Sequence, residues 1–316
     1  MRIKTRILAS AVLAGSVALT GCGDLLDVEN PNNVTEDAVQ RVQGAAALVN
    51  GAEARTFAAI SQIWLPYLTV SDDLVWGEDG SRDAWGSLDE GQIADPLNEF
   101  IDAYFPTIAQ ARWMADEAVS TMEVHISNPE NADILDDLNP LFARAQFNKG
   151  LVYLMIGETM EEFAFSDKAE EGPIVTSGEF RTTVFGPAIT AFTAAVDDPD
   201  IGLQAQAMLA RAYQAREIRE VAKANPNPGD PSQNYVSVPE ANAAAEAVLA
   251  AADMDWYWEA TYSAATIGNE MANWVNSRGE PLVSPSLLEL ADPIDDDVLG
   301  AMPIIDRFRV GSDNFT

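Results

Sequence analysis

The 316-residue chain has one cysteine, Cys22, and one histidine, His125. A lone cysteine allows no disulfide within the chain and no cysteine-based zinc site. A lone histidine excludes sites built from several histidines and leaves any Ser-His-Asp or Cys-His nucleophile dependent on one side chain. His125 falls where a helix is expected to end, just before Asn128-Pro129, and reads as an exposed terminal residue that suits the helix dipole. Basic residues are also scarce: 18 Lys and Arg against 50 Asp and Glu give a formal charge of −32. A field of that sign repels phosphate backbones and anionic lipid surfaces, so nucleic acid is not an expected partner. No phosphate-cradling glycine loop occurs, and no cofactor is expected. The apolar run over residues 7–19 has 13 residues, short of the roughly 20 that a spanning helix needs. Against these shortages, 47% hydrophobic residues and seven tryptophans supply the material of a packed core, so the acidity reads as a solvated surface rather than as disorder.

The first 21 residues have the three-part order of a secretory signal peptide: Arg2, Lys4 and Arg6, the apolar run, then small residues. Without it, 15 basic residues face 50 acidic ones. Leu19-Thr20-Gly21-Cys22 resembles the bacterial lipobox, which implies that Cys22 becomes the first mature residue and carries diacylglyceryl and acyl groups. Two or more acyl chains anchor stably where one is reversible. The alternative is a secreted protein with an ordinary cleavage site and an idle thiol. Residues 22–34 read as a tether that ends in the turn-forming Asn30-Pro31-Asn32-Asn33.

From residue 35 onward the pattern is mostly α. Thr35 is expected to cap a first helix that runs to about residue 60 with Val39, Val42, Ala46, Val49 and Phe57 on one face. Residues 61–92 read as a long aromatic, acidic, glycine-punctuated loop, and such loops are often functional. Asp95-Pro96 opens a second helix to about residue 123, buried through Phe100, Tyr104, Ile108, Ala111 and Ala115 and kinked at Pro106. Asn139-Pro140 opens a third, whose second half is apolar nearly all round and which is therefore central, with Gly157 as its terminating residue. Residues 158–181 read as irregular around a Gly172-Pro173 turn. Further helices are expected over 182–196, over 203–224, and from a Ser237-Val238-Pro239-Glu240 capping box to about residue 252. The small-x-x-Tyr pairs Gly150/Tyr153 and Ala210/Tyr213 have the spacing that lets paired helices approach in tetratricopeptide-like units. Their separation does not fit two 34-residue units, so any repeats are interrupted.

Taken in order, these segments resemble the SusD/RagB family of outer-membrane nutrient-binding lipoproteins. The mature start, Cys22 through Leu26-Asp27-Val28 to Asn30-Pro31 and Thr35, is similar to that family's lipidated lead-in to its first helix. Ser71-Asp72-Asp73 resembles the Ser-Asp-acidic turn after it. Phe142-Ala143-Arg144-Ala145 through Tyr153 to Ile156-Gly157 and Ala207-Met208-Leu209-Ala210-Arg211-Ala212-Tyr213 resemble two of its later helices, and Ala291-Asp292-Pro293 its late Asp-Pro motif. Arg112 departs from the family pattern by standing where an asparagine usually follows alanine. The later helix rich in Arg, Ala and Glu does not follow before Thr316, so a shortened member or a truncated chain is implied.

The resemblance implies a helical-hairpin, SusD-like domain over residues 35–316 with long irregular loops. It also implies a non-catalytic lid, lipid-anchored at the outer membrane and surface-exposed, that captures oligosaccharides or peptides and passes them to a TonB-dependent β-barrel transporter. The residues suit that task on their own chemistry: aromatic faces stack on the C–H faces of sugars, and carboxylates accept hydrogen bonds from hydroxyls. Trp76 and Trp85, with Asp72, Asp73, Glu78 and Asp79, are the expected contacts, the competing reading being that both tryptophans are buried pegs. Trp256, Tyr257 and Trp258 form a second aromatic cluster. Two rival classes stay open: a helical-repeat scaffold lipoprotein, and a glycan hydrolase with paired carboxylates about 5–9 Å apart.

Overall fold

The computed structural model describes residues 38, 40–76, 83–92, 98–167, 172–225, 227, 236–253, 256–263, 268–278 and 281–283. The signal, Cys22, the tether and the Thr35 cap lie outside them, as do Glu78, Asp79, Asp95-Pro96 and Asp292-Pro293. The chain divides into two compact units, Met1–Gln43 and Gly44–Thr316. The second is mostly α.

Its long helices are α1 (Ala45–Val70), α3 (Glu99–Ser127), α4 (Leu135–Thr159), α6 (Phe185–Ala195), α7 (Gly202–Ala224) and α8 (Pro239–Ala251). Short helices α2 (Asp83–Asp89), α5 (Phe180–Thr183) and α9 (Glu270–Ala272) fill the connections. Each long helix packs on the next: α1 on α3, α3 on α4, α4 on α6, α6 on α7 and α7 on α8. Helix α4 also touches α1 and α7. It is the centre that its apolar second half implied, with Leu151, Val152, Leu154, Met155 and Ile156 all buried.

Among the described residues, two small antiparallel ribbons accompany the helices. Strands β2 (Glu162–Ala164) and β3 (Ile174–Thr176) pair in the region expected to be irregular, with Phe163 opposite Val175. Gly172 is needed there, because a Cβ would lie 1.5 Å from the Phe165 carbonyl oxygen. Strand β1 (Leu74–Trp76) pairs with β4 (Pro281–Val283), which joins the segment after α1 to one more than 200 positions later.

Several boundaries differ from the sequence expectation, each for a local reason. Helix α1 runs to Val70 and carries Pro66 inside it, which places Trp64 and Tyr67 on a helix rather than in a loop. Gly157 does not end α4, which continues to Thr159. It is a notch for Phe185, whose ring a Cβ would meet at 2.7 Å, and Gly150 does the same for Phe192 at 2.5 Å. Small residues thus do permit close helix approach here, but between α4 and α6 through phenylalanines. The helix expected over 182–196 is broken at Val184; Pro187 has no N–H to give to the Thr183 carbonyl. Helix α8 starts one residue later than a Ser237 cap requires, with Val238 at the cap position and Pro239 at N1, where proline's fixed φ favours it. The Ser237 hydroxyl instead accepts from the Asn242 amide at 3.4 Å. A reciprocal cap occurs elsewhere: the Glu179 carboxylate accepts from the Thr176 backbone N–H at 3.0 Å and from its hydroxyl at 2.9 Å. His125 is 8% exposed rather than solvent-facing, and its carbonyl accepts from the Asn131 amide at 2.9 Å.

Candidate functional site

The Ser71-Asp72-Asp73 turn is the C-terminal cap of α1. Asp72 has a φ of 63°, in the left-handed region, which lets the Asp73 N–H reach back to the Leu68 carbonyl at 3.0 Å. Aspartate tolerates that conformation better than most side chains. The Asp73 carboxylate accepts from the Ser71 hydroxyl at 2.6 Å. Both carboxylates stand at the surface end of the helix, and both already have a structural reason to be there.

The two tryptophans expected to bind ligand are held differently from that expectation. Trp85, on α2, is 0% exposed. Its ring stacks on Phe100 with centroids 4.0 Å apart and meets Trp274 edge-on at 5.6 Å, so protein covers the face that a sugar would need. Trp76 is half-buried on β1 opposite Pro281 and lies against Gly86, where a Cβ would sit 3.3 Å from the indole. Trp85 therefore fastens α2 to α3, and Trp76 keeps a partly open ring. In the second cluster Trp258 meets Phe57 at 6.2 Å and Phe147 at 5.5 Å, while Tyr257 is exposed.

Beside the α1 cap is an open groove of about 570 Å³ between the ends of α1 and α4 and one face of α7, within the roughly 300–1,000 Å³ of ligand sites. Trp64 and Tyr67 meet edge-on at 5.2 Å, and Tyr67 is 45% exposed. The Arg211 guanidinium lies over the Trp64 ring at 5.5 Å. It forms a two-pronged pair with Glu158, Nε and Nη2 each donating at 2.8 Å. Nη1 has no partner among the described residues. Such a fork fixes direction as well as charge.

Arg219 closes the floor. Its Nη1 donates to the Gly157 carbonyl at 2.9 Å and Nη2 to the Met160 carbonyl at 2.8 Å and to the Ser177 hydroxyl at 2.9 Å, and the guanidinium stacks over Phe180 at 4.6 Å. It thereby caps α4, satisfying carbonyls left open at a helix C-terminus. Burial lowers its pKa, which the charges of Glu161 and Glu220 oppose. One turn on, the Lys223 ammonium donates to the Ser177 carbonyl. Arg211, Ala215, Ile218, Arg219, Ala222 and Lys223 form one stripe along α7 at helical spacing, a signal present in the sequence.

A second groove, about 360 Å³, is lined by Asp136, Asp197 and Asp198 with no basic residue. Among the described residues no group of three or more His, Cys, Asp or Glu is placed to hold a metal ion. Among the described residues no helix is long and apolar enough to cross a membrane. Compared with known proteins, the chain matches no family model and no curated protein sequence.

Proposed function

We propose that the chain is an outer-membrane lipoprotein of SusD/RagB type, anchored through Cys22, that binds an oligosaccharide or peptide nutrient and delivers it to a TonB-dependent β-barrel transporter. It acts as a non-catalytic lid, and a tetratricopeptide-like helical-hairpin arrangement belongs to the same reading. The observation that carries it is the groove at the end of α1, where exposed Tyr67 and half-buried Trp64 stand beside a fixed Arg–Glu fork. Aromatic faces and oriented charges together bind polar ligands of flat shape. The ordered helices of α1 to α8 and the lipobox-like Leu19-Thr20-Gly21-Cys22 support the same reading. In this reading the nutrient contacts move from Trp85 to Trp64, Tyr67 and Arg211, with Trp76, Asp72 and Asp73 near the start of the following ribbon.

The test is purification of the lipidated protein from detergent-solubilised membranes. A large β-barrel that co-purifies at stoichiometric amounts is the expected result. Isolation alone, with no ligand bound on glycan and peptide arrays, would favour the scaffold class. Sugar release from a polymer, abolished by one carboxylate substitution, would establish a hydrolase instead.

A further inference from the structure

We infer that the groove between α1, α4 and α7 selects a saccharide unit that carries a carboxylate, such as a uronic acid, over its neutral counterpart. This rests on the reading of the groove as the nutrient site and names the ligand class. The first reason is charge. In a chain with 50 acidic and 18 basic residues, the groove is lined by Arg211, Arg219 and Lys223 against Glu158 and Glu161. The other groove shows the opposite composition, three aspartates and no cation. A local excess of cations inside a strongly acidic surface marks where an anion is received, because only close-range contacts overcome the repulsion of the whole.

The second reason is unused donors. Arg211 spends Nε and Nη2 on Glu158, and Nη1 has no partner among the described residues. Lys223 has three N–H bonds; one goes to the Ser177 carbonyl, and the one carboxylate near it among the described residues, Glu220, is 3.8 Å away. A carboxylate accepts from Arg211 Nη1; Lys223, twelve positions further along α7 and so about 18 Å away along its axis, offers a separate donor. The third reason is that the groove also holds acceptors, and Glu161 is solvent-facing with, among the described residues, one 3.5 Å contact to Arg219. A neutral sugar gives its hydroxyls to the glutamates and nothing charged to the cations. An acidic peptide does the reverse. A hydroxylated ring with one carboxylate supplies both from a single residue and lays its C–H face on Tyr67.

The experiment is calorimetric titration of the unlipidated chain with trigalacturonate and with neutral galactotriose at pH 7. Trigalacturonate is expected to bind at least tenfold more tightly. Arg211→Met keeps an aliphatic stem on Trp64 and should reduce the preference to within about twofold. Arg211→Lys should retain part of it, and Tyr67→Ala should weaken both ligands alike. Unfolding midpoints near that of the parent show that each variant is folded. Equal or tighter binding of galactotriose, an unchanged preference in Arg211→Met, or binding of neither sugar overturns the inference. So does a triglutamate peptide that binds as tightly as trigalacturonate. Loss of the acidic preference with the β-barrel still co-purifying sinks this inference alone. Acidic-sugar binding without any co-purifying barrel leaves it standing and sinks the lid.

Discussion

Replacing Arg112 by methionine is expected to destabilise the unlipidated chain by about 3 kcal/mol, toward the lower end of what breaking a buried ion pair costs. Arg112 is 4% exposed on α3. Its Nη1 donates to Asp116 at 3.1 Å, and Nη2 donates to Asp167 at 2.6 Å and to the Ser166 carbonyl. The Phe165 ring lies 5.5 Å from the guanidinium. The three losses are unequal. Asp167 is mostly exposed and rehydrates, so its share is under about 1 kcal/mol. Asp116 keeps Lys149 at 2.9 Å and the Tyr153 hydroxyl at 2.9 Å, so it is not left bare. The Ser166 carbonyl loses a charge-assisted bond worth roughly 1.5–3 kcal/mol. Methionine fills most of the volume and keeps contact with Phe165, which leaves the polar losses as the main term. Urea unfolding followed by circular dichroism reads the difference as a shift in midpoint at constant slope. Arg112→Lys should recover part of the loss. Combining Arg112→Met with Asp116→Asn should cost less than the two singles summed, because the sites share one network. A loss below about 0.5 kcal/mol for Arg112→Met would refute the assignment of this network as the fastening of the β2–β3 ribbon to α3 and α4.

Burial raises the pKa of Tyr104 and Tyr153 far above 10.0 and that of Tyr262 to about 12, with the charges of Glu270 and Asp116 adding to the first two. The neutral phenols stabilise the fold fully below pH 10 and that contribution is lost as pH rises through the folded values. Ultraviolet titration should therefore show three of the seven tyrosines ionising only with unfolding; seven normal titrations would contradict the packing. Gly157→Val should cost roughly 1–3 kcal/mol by driving a side chain into the Phe185 ring, and Phe185→Leu in the same chain should recover part of it in thermal unfolding. Trp85→Ala should cost about 3–5 kcal/mol while Trp85→Phe leaves sugar affinity unchanged, and a specific loss of affinity in Trp85→Phe would return that residue to the ligand site. Cys22→Ala should move the protein from the membrane fraction to the soluble fraction, and continued anchoring would sink the lipobox reading.

The parts of the fold that could be read from the sequence are those where one periodicity decides the answer. Phe100, Tyr104, Ile108, Ala111 and Ala115 recur at helical spacing, and all five are buried along α3. The second half of the segment 141–157 is apolar nearly all round, and α4 is central. What failed was punctuation. Gly157 looked like a helix end because glycine serves that role often, yet its missing Cβ is used by Phe185, a partner 28 positions away that no local pattern shows. The aromatic, acidic, glycine-punctuated composition of residues 61–92 suggested an end to α1 near residue 60, yet the helix runs on through Pro66 to Val70, because a proline one turn before a terminus interrupts little that the last turn still needs. Trp76 and Trp85 look alike in sequence; only the register of β1 on β4 and the stack of Trp85 on Phe100 separate a half-open ring from a closed one.

The groove was harder to see, because its charge lies on α7 and its aromatic wall on α1, more than 140 positions apart. Two of its cations do different work, and that decides which substitutions are informative. Arg219 joins the end of α4 to Ser177 and lies on Phe180, so its removal uncaps a central helix and would confuse stability with binding. Arg211 is 46% exposed and pairs with Glu158 at the surface, where an ion pair adds little to stability, about 1 kcal/mol or less. A two-pronged pair that stabilises so little, yet fixes one guanidinium over an aromatic ring with a nitrogen to spare, is better accounted for by what it presents than by what it holds together. If Arg211 is a presenting residue, Glu158→Gln should leave the unfolding midpoint nearly unchanged and still alter sugar affinity, because the fork loses the charge that orients it. A change in midpoint without a change in affinity would place the pair among the fastenings of the fold instead.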